Sequence, residues 1–426
     1  MIQKKLNVFW FRRDLRLDDN HALFEALNND LPVLPIFIFD DEILNQLPID
    51  DHRVTFIYDS LKKLDDELKK QGSSLLIKRG DVENVWQSLV EEYEISKVFY
   101  NKDYEPKTIK RDQHVTKLLK EIGIDCLGYK DHLIFEESEI LKQDGNPYTV
   151  YTPYKNKWLT ELQTIPEYQS DNQLEKLYKI NLDFPTIDFL GFVRSTISIR
   201  PYDLKIVSNY DQTRDIPSLP TSDLAPYLRF GNVSTRKLVK WAKIKNKVFF
   251  SELIWREFFS QILFHFPKVV SSNFKPKYDG IPWRNNEIEF QKWCEGKTGY
   301  PIVDAGMRQL NQTGYMHNRV RMIVASFLCK HLLIDWRWGE AYFAQKLFDF
   351  ELASNNGNWQ WVAGTGCDAA PYFRVFNSTA QQEKFDKKFD YVKNWIPEYR
   401  EGYLPQIVEH KFARERYLAA MKEALN

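Results

Sequence analysis

The second half of the chain concentrates residues that can bind a flat, polar ligand. The stretch Asp349–Trp361 alone holds two carboxylates, three asparagines and two tryptophans. Aromatic residues make up 15% of the chain, and nine of its 12 tryptophans fall between Trp241 and Trp395. So many rings indicate stacking surfaces or a buried aromatic cofactor as well as ordinary core.

Two further segments group functional side chains on one face of a predicted helix. The two groups are Glu252, Trp255 and Arg256, and Asn318, Arg321 and Met322. A buried arginine needs a partner, and Asp349 is the candidate partner of Arg321. For the first group, an ion pair within one helix beside a core tryptophan is the alternative.

A third polar stretch runs from Tyr210 to Asp215 and is followed by the sequence Thr221-Ser222-Asp223-Leu224-Ala225-Pro226. Thr221 or Ser222 is predicted to cap a helix, whose first amide groups would suit a phosphate. An ordinary helix cap without a ligand remains the alternative.

Charge is balanced over the whole chain but not within it. The 59 basic residues cancel the 59 acidic residues, whereas Lys268–Arg337 holds 11 Lys or Arg against 6 Asp or Glu. Cations beside aromatic rings suit phosphates and bases, so this region predicts nucleic-acid binding. Charged outer helix faces over an aromatic core are the alternative.

Several classes of protein are excluded by motifs that the sequence lacks. The four cysteines form no CxxC pair and the eight histidines no HExxH or HxH pattern, so no metal site is predicted. No apolar run approaches the ~20 residues that span a bilayer, so no membrane partner is expected. The polar start Met1–Asn7 does not resemble a secretory leader, which predicts a cytoplasmic protein.

The elements that must position these residues divide the chain into three parts. Residues 1–131 alternate apolar runs with helical stretches, which predicts a Rossmann-like α/β domain with a parallel sheet. Residues 132–200 are punctuated by prolines and predict a connector, and residues 201–426 predict an all-helical domain. Strands are predicted at Asn7–Phe11, Val33–Phe39, Ser74–Lys78, Lys97–Tyr100 and Asp125–Tyr129.

In combination, these motifs resemble the photolyase/cryptochrome family, and most closely the bacterial class I cyclobutane pyrimidine dimer photolyases. The resemblance runs from Phe9–Arg16 to Ile407–Lys411, nearly the whole chain. Its most specific blocks are Glu295–Ala305, Met316–Ala325 and Asn355–Trp361. It implies an α/β antenna domain, a connector, and a helical domain that holds U-shaped FAD.

The resemblance also assigns an FAD site. Its members in this chain are Tyr210, Thr221, Ser222, Asp223, Leu224, Ala225, Arg321, Asp349, Phe350, Glu351 and Asn355. Arg321 and Asp349 resemble the ion pair beside the isoalloxazine, and Asn355 resembles the residue that faces its N5 atom. Tyr210 and Thr221 to Ala225 resemble the phosphate-binding stretch, although family members often have Ser in place of Ala225.

A second set of residues resembles the pocket for a flipped pyrimidine dimer and its flanking DNA. This set is Arg214, Glu252, Trp255, Asn318, Arg319, Met322 and Trp361. Trp283, Trp336 and Trp359 resemble the three-tryptophan chain that reduces the oxidised flavin in light. The implied reaction is light-driven electron transfer from reduced FAD to the dimer, with Glu252 stabilising the base radical anion.

Two alternatives within the family stay open. A cryptochrome is a blue-light receptor without repair activity, and its plant members carry Asp where this chain has Asn355. A (6-4) photolyase would show paired histidines where this chain has His317 followed by Asn318.

The second, light-harvesting chromophore is not fixed by the sequence. Folate-binding members carry an Asn-Glu pair where this chain has Lys107-Thr108, which argues against methenyltetrahydrofolate. A deazaflavin, another flavin or an empty site remains open. UV-damaged DNA is the predicted partner, and the protein is predicted to be a monomer.

Overall fold

The computed structural model of the protein describes residues 5–400 and 402–425, so the first four residues of the polar start lie outside it. The chain forms two compact units, here called the α/β unit and the helical unit. The α/β unit comprises Met1–Glu139, Thr160–Arg200 and Leu224–Ile244, and the helical unit comprises Ile140–Leu159, Pro201–Asp223 and Lys245–Asn426. The predicted domain limits at 131/132 and 200/201 stay a prediction.

The α/β unit is built on a five-stranded, fully parallel sheet with the order β3-β2-β1-β4-β5. The strands are β1 Leu6–Phe11, β2 Val33–Asp40, β3 Leu76–Gly80, β4 Ile95–Asn101 and β5 Asp125–Tyr129. All five predicted strands are therefore present, and the predicted fold class is confirmed. Only β3 begins later than predicted, because the Leu75 amide donates to Asp65 Oδ1 at 3.0 Å.

Helices cover both faces of this sheet, and each face has its own apolar core. They are α1 His21–Leu27, α2 Asp41–Leu44, α3 His52–Lys69, α4 Val82–Glu92 and α5 Pro106–Glu121. Helix α3 shows the local logic: the Asp51 side chain accepts from the Arg53 amide at its start, and Leu61, Leu64 and Leu68 bury one face.

The remainder of the chain contains helices and no strand within residues 130–400 and 402–425. The helices are α6 Tyr151–Glu161, α7 Tyr210–Thr213, α8 Ala225–Arg229, α9 Thr235–Lys245, α10 Lys247–His265, α11 Glu287–Cys294, α12 Pro301–Thr313, α13 Asn318–Ser326, α14 Trp336–Lys346, α15 Leu352–Ala363, α16 Ser378–Phe385, α17 Asp390–Trp395 and α18 His410–Leu425. A π-helical turn, Phe327–His331, follows α13 directly. No helix in the described part of the chain is long and apolar enough to cross a bilayer.

Candidate functional site

The helical unit contains a cavity of about 580 Å³, its open mouth included, lined by side chains of α13, α14, α15 and the loop before α15. Seven residues assigned to the cofactor or lesion by resemblance line it: Asn318, Arg321, Met322, Asp349, Phe350, Glu351 and Asn355. Trp359, assigned to the tryptophan chain, lines it too. The structure therefore brings together residues that lie up to 41 positions apart.

Helix α13 presents its cavity face as the predicted spacing requires. Asn318, Arg321, Met322 and Ala325 all line the cavity, and residues three and four apart share a helix face. His317 begins the helix, and its Nδ1 accepts from the Arg319 amide at 3.2 Å.

Helix α15 is anchored on one side and lines the cavity on the other. The side-chain amides of Asn356 and Gln360 both donate to Val269 O at 3.0 Å. Gly357 permits a close approach, because a Cβ there would lie 2.1 Å from the Phe259 ring. These contacts hold Asn355, and the rest of the cavity face, in place.

The ion pair predicted between Arg321 and Asp349 forms, with Nη2 2.8 Å from Oδ2. Burial alone would lower the pKa of Arg321, but the Asp349 carboxylate outweighs it and raises that pKa. The second oxygen, Asp349 Oδ1, is buried and has no hydrogen-bond partner among the described residues. A buried acceptor left open costs about 1–3 kcal/mol, so this atom indicates a ligand with an N–H donor. The isoalloxazine of FAD carries such a donor, and the residues present fit it.

Asn355 is fixed by a residue that the sequence did not indicate. Its Nδ2 donates to both the main-chain oxygen and Oε1 of Glu340, each at 3.1 Å. Burial raises the pKa of Glu340, and the hydrogen bond from Asn355 opposes that rise. No motif surrounds Glu340, so only the fold could reveal this contact.

The residues assigned to DNA pair with carboxylates of the same unit. Arg214 Nη1 lies 2.7 Å from Glu252 Oε1, and Arg319 Nη2 lies 2.7 Å from Asp215 Oδ1. Burial raises the pKa of Glu252, and Arg214 opposes that rise. Glu252 therefore pairs with Arg214 and not with Arg256 of its own helix, so the alternative of an ion pair within α10 is wrong.

Helix α10 is tied to the cavity wall through Arg256, the next residue after Trp255. Arg256 Nη2 lies 2.9 Å from Glu351 Oε1, and Glu351 lines the cavity. The neighbouring Trp255 is half-buried, and Tyr151 stacks on it. A partly exposed indole therefore sits one residue from a side chain that holds the cavity wall.

The predicted helix cap at Thr221 or Ser222 is wrong. Helix α8 begins at Ala225, because Pro226 is favoured in the first turn of a helix, and Asp223 adopts a left-handed conformation with φ of 49°. Thr221 Oγ1 instead lies 3.2 Å from Asp223 Oδ1 and 3.0 Å from the Tyr315 hydroxyl.

The residues assigned to the phosphates are divided between the units. Tyr210, Thr221, Ser222 and Asp223 belong to the helical unit, whereas Leu224 and Ala225 belong to the α/β unit. Tyr210 is half-buried, with its ring 5.3 Å from that of Phe249. The assignment to phosphate binding stays a prediction for all six positions.

The three tryptophans assigned to electron transfer are placed in the helical core. Trp359 lines the cavity, Trp336 is buried with its indole N–H on Asn273 Oδ1 at 2.9 Å, and Trp283 packs at the edge of that core. Trp361 is half-buried against the same core. A tryptophan that the sequence analysis did not single out, Trp293, lies 6.2 Å from Trp359 between ring centroids.

The positive charge of Lys268–Arg337 is partly neutralised within the helical unit. Lys330 is buried, and exposed cations include Lys268, Lys277 and Lys292. The internal pairs are Arg284–Glu289, Lys297–Glu295, Arg308–Glu398, Arg319–Asp215, Arg321–Asp349 and Arg337–Asp335. The surface charge is therefore smaller than the sequence count.

The segment assigned to the second chromophore lies in the α/β unit. Glu105 accepts from Arg13 at 3.3 Å and lies 3.5 Å from Arg229. Lys107 is largely exposed at the start of α5. This arrangement does not select a chromophore, and its identity stays open.

Comparison with known proteins identifies the family. Residues 7–172 match the family profile described as DNA photolyase, and residues 249–402 match the profile described as FAD binding domain of DNA photolyase. The deoxyribodipyrimidine photo-lyase of Vibrio cholerae is 37% identical over 98% of this chain and 100% of its own length. The chain belongs to the photolyase/cryptochrome family. The predicted family and the predicted FAD cofactor are thereby confirmed.

Solved structures of both branches of the family share this fold. A class III photolyase from Agrobacterium tumefaciens covers 100% of this chain and 98% of its own, at 33% identity and a TM-score of 0.88. A Sulfolobus tokodaii photolyase described with two FAD molecules covers 98% of this chain and 100% of its own, at 36% identity and a TM-score of 0.86. A Synechocystis cryptochrome covers 99% of this chain and 100% of its own, at 25% identity and a TM-score of 0.85. Similarity of fold therefore does not separate repair from light sensing.

Proposed function

We propose that this photolyase-family protein repairs cyclobutane pyrimidine dimers in DNA, using light and bound FAD. The observation that carries the proposal is the open carboxylate oxygen of Asp349 in a cavity whose wall is tied, through Glu351 and Arg256, to the half-exposed indole of Trp255. One ion pair thus joins the cavity wall to the helix that carries Trp255. The curated relatives that carry the name deoxyribodipyrimidine photo-lyase support the same activity.

The cavity residues bind and orient the cofactor in this proposal. Asp349 Oδ1 accepts a hydrogen bond from the flavin, and Arg321 holds that carboxylate in position. Glu340 holds the amide of Asn355 beside the cavity. When bound, FAD supplies the electron that opens the cyclobutane ring.

The lesion pocket receives the dimer after it leaves the duplex. Unstacking costs a few kcal/mol, and least at damaged bases, which favours the lesion. Trp255 and Trp361 supply rings for stacking, and Asn318 and Met322 complete the pocket. Glu252 supplies a carboxyl group that can hydrogen-bond a base edge, and burial raises its pKa.

Arg214 and Arg319 contact DNA phosphates in this proposal. Because both are paired with carboxylates, phosphates must replace Glu252 and Asp215 as their partners. Trp359, Trp336 and Trp283 relay electrons from a reductant in solution to the oxidised flavin. Buried indoles suit this task because aromatic rings can be oxidised and reduced one electron at a time.

The deciding experiment follows repair of an oligonucleotide with one thymine dimer by purified, chemically reduced protein. Repair is expected under blue light and not in darkness. The matched variant Trp336→Phe should repair as well once chemically reduced, but its oxidised flavin should no longer be reduced by light. Normal photoreduction in that variant would remove Trp336 from the electron path.

Other outcomes would select the alternatives. Bound, photoreducible FAD without repair of any dimer would assign the protein to light sensing as a cryptochrome. Repair of a (6-4) photoproduct in place of the cyclobutane dimer would assign it to the other class of photolyase.

A further inference from the structure

One aromatic contact joins the predicted connector to the proposed lesion platform. Tyr151, the first residue of α6, stacks on Trp255 with ring centroids 3.6 Å apart and ring planes within 9°. Both residues belong to the helical unit. Tyr151 is 7% exposed, whereas Trp255 is half-buried.

Tyr151 is held at both ends. Its hydroxyl donates to Ser251 O at 2.8 Å and lies 2.6 Å from Ser251 Oγ. Its main-chain N–H donates to Asp368 Oδ2 at 3.1 Å. A ring fixed in this way cannot swing aside when a ligand approaches Trp255.

The position of the Trp255 indole is therefore fixed by the rings around it. Tyr151 covers one face, and the rings of Phe258 and Phe259 both lie 5.5 Å from it between centroids. A base can stack only on the face opposite Tyr151. Because the orientation of this platform is set before binding, less conformational freedom is lost when the base arrives.

We infer that Tyr151 is a positioning residue for lesion recognition: it fixes the Trp255 indole as a one-sided stacking platform for a flipped pyrimidine dimer. The inference rests on the proposed function. It gives the part of the predicted connector that contains Tyr151 a role in substrate binding.

The test compares Tyr151→Leu with Tyr151→Phe. Leu removes the stacked ring, whereas Phe keeps the ring and removes only the hydroxyl contact to Ser251. For an oligonucleotide with one thymine dimer, Leu should weaken binding by about 3- to 10-fold, the usual scale of one aromatic pair. Phe should restore binding to within about twofold of the unchanged protein. If Phe weakens binding as much as Leu does, the stacked ring is not the cause and the inference fails.

Further readouts separate positioning from loss of fold. The affinity for undamaged DNA, and the repair rate at saturating dimer, should be unchanged in Tyr151→Leu because the ring acts on dimer binding. Tyr148→Leu is the matched control: Tyr148 lies in the same segment, and its ring contacts Tyr154, 6.4 Å away between centroids. An equal loss in the control, or equal losses for damaged and undamaged DNA, would overturn the inference.

A double-mutant cycle then links Tyr151 to Trp255. Trp255→Ala should weaken dimer binding by about 5- to 100-fold, and adding Tyr151→Leu should cause little further loss. Losses that simply multiply would refute the positioning role. Dimer binding lost in Trp255→Ala but unchanged in Tyr151→Leu would overturn this inference and leave the proposed function standing. Unchanged dimer binding in Trp255→Ala would instead show that Trp255 is not the stacking platform.

Discussion

Each unit contains an Arg–Asp ion pair, buried in the α/β unit and half-buried in the helical unit, and the two are completed differently. In the α/β unit, both oxygens of Asp131 lie 2.8 Å from Arg16, and one also lies 2.8 Å from Arg236. In the helical unit, Asp349 has one oxygen on Arg321 at 2.8 Å and the other unpaired. Both carboxylate oxygens are thus paired in the first network, here called closed, and only one is paired in the second, here called open.

The difference separates a structural ion pair from a binding site. Burial opposes ionisation of Asp131, but Arg16 and Arg236 outweigh it and lower its pKa to about 2. Every oxygen of that carboxylate is satisfied within the chain, so no ligand is needed. Asp349 keeps one acceptor for a group that none of the described residues supplies. Burial of charge therefore does not by itself identify a site, whereas an unsatisfied charge beside a cavity does.

The largest expected effect comes from breaking the closed network. Asp131→Asn leaves Arg16 buried without a carboxylate and leaves Arg236 with Asp19 alone, which should lower the free energy of unfolding by about 3–5 kcal/mol. Urea denaturation measures this change. As a control, Asp66→Asn removes one partner of the exposed pair Lys62–Asp66 and should leave the unfolding curve unchanged. Similar curves for both variants would show that the buried network does not stabilise the unit.

A substitution in the open pair, Arg321–Asp349, should change the free energy of unfolding less and the affinity for FAD more. Asp349→Asn removes the charge that holds Arg321 and weakens the acceptor for the flavin. FAD affinity should fall by about 10- to 100-fold, the scale of one charged hydrogen bond. Titration of cofactor-free protein by quenching of flavin fluorescence measures this loss.

The unfolding curve of the cofactor-free variant completes that comparison. Arg321 retains its contact to Met316 O at 2.7 Å, so Asp349→Asn should destabilise the protein less than Asp131→Asn does. Unchanged FAD affinity together with a large loss of stability would make Asp349 a structural residue, like Asp131.

The contacts that the sequence predicted are those in which the chemistry of one residue determines which type of residue it must contact. A buried Arg321 requires a carboxylate, and the spacing of Asn318, Arg321 and Met322 fixes one helix face. Alternation of apolar runs in the first 131 residues likewise predicted the parallel sheet. These inferences need only local patterns and one rule about buried charge.

The contacts that the sequence missed depend on how distant segments pack. Glu340 beside Asn355, Trp293 beside Trp359 and Tyr151 on Trp255 are ordinary residues in their own helices. Nothing in their local sequence distinguishes them from core or surface positions. The error at Thr221 has another cause: a Thr or Ser before a helix predicts a cap, but Pro226 moved the start of that helix.

The smallest expected effect concerns His317, which caps the start of α13. Burial, and then the charges of Arg321 and Arg319, lower its pKa to about 4, and Asp215 opposes this shift. In the unfolded chain a histidine has a pKa of about 6.5. Between these values the unfolded chain holds a proton that the folded protein lacks, so stability is present above pH 6.5 and is lost as the pH falls.

His317→Asn tests this because Asn caps a helix and does not titrate. Between pH 7.5 and pH 5.5, the unchanged protein should lose about 1 kcal/mol more free energy of unfolding than the variant. Urea denaturation at the two pH values measures the difference. Parallel losses would mean that His317 is not held neutral in the folded protein.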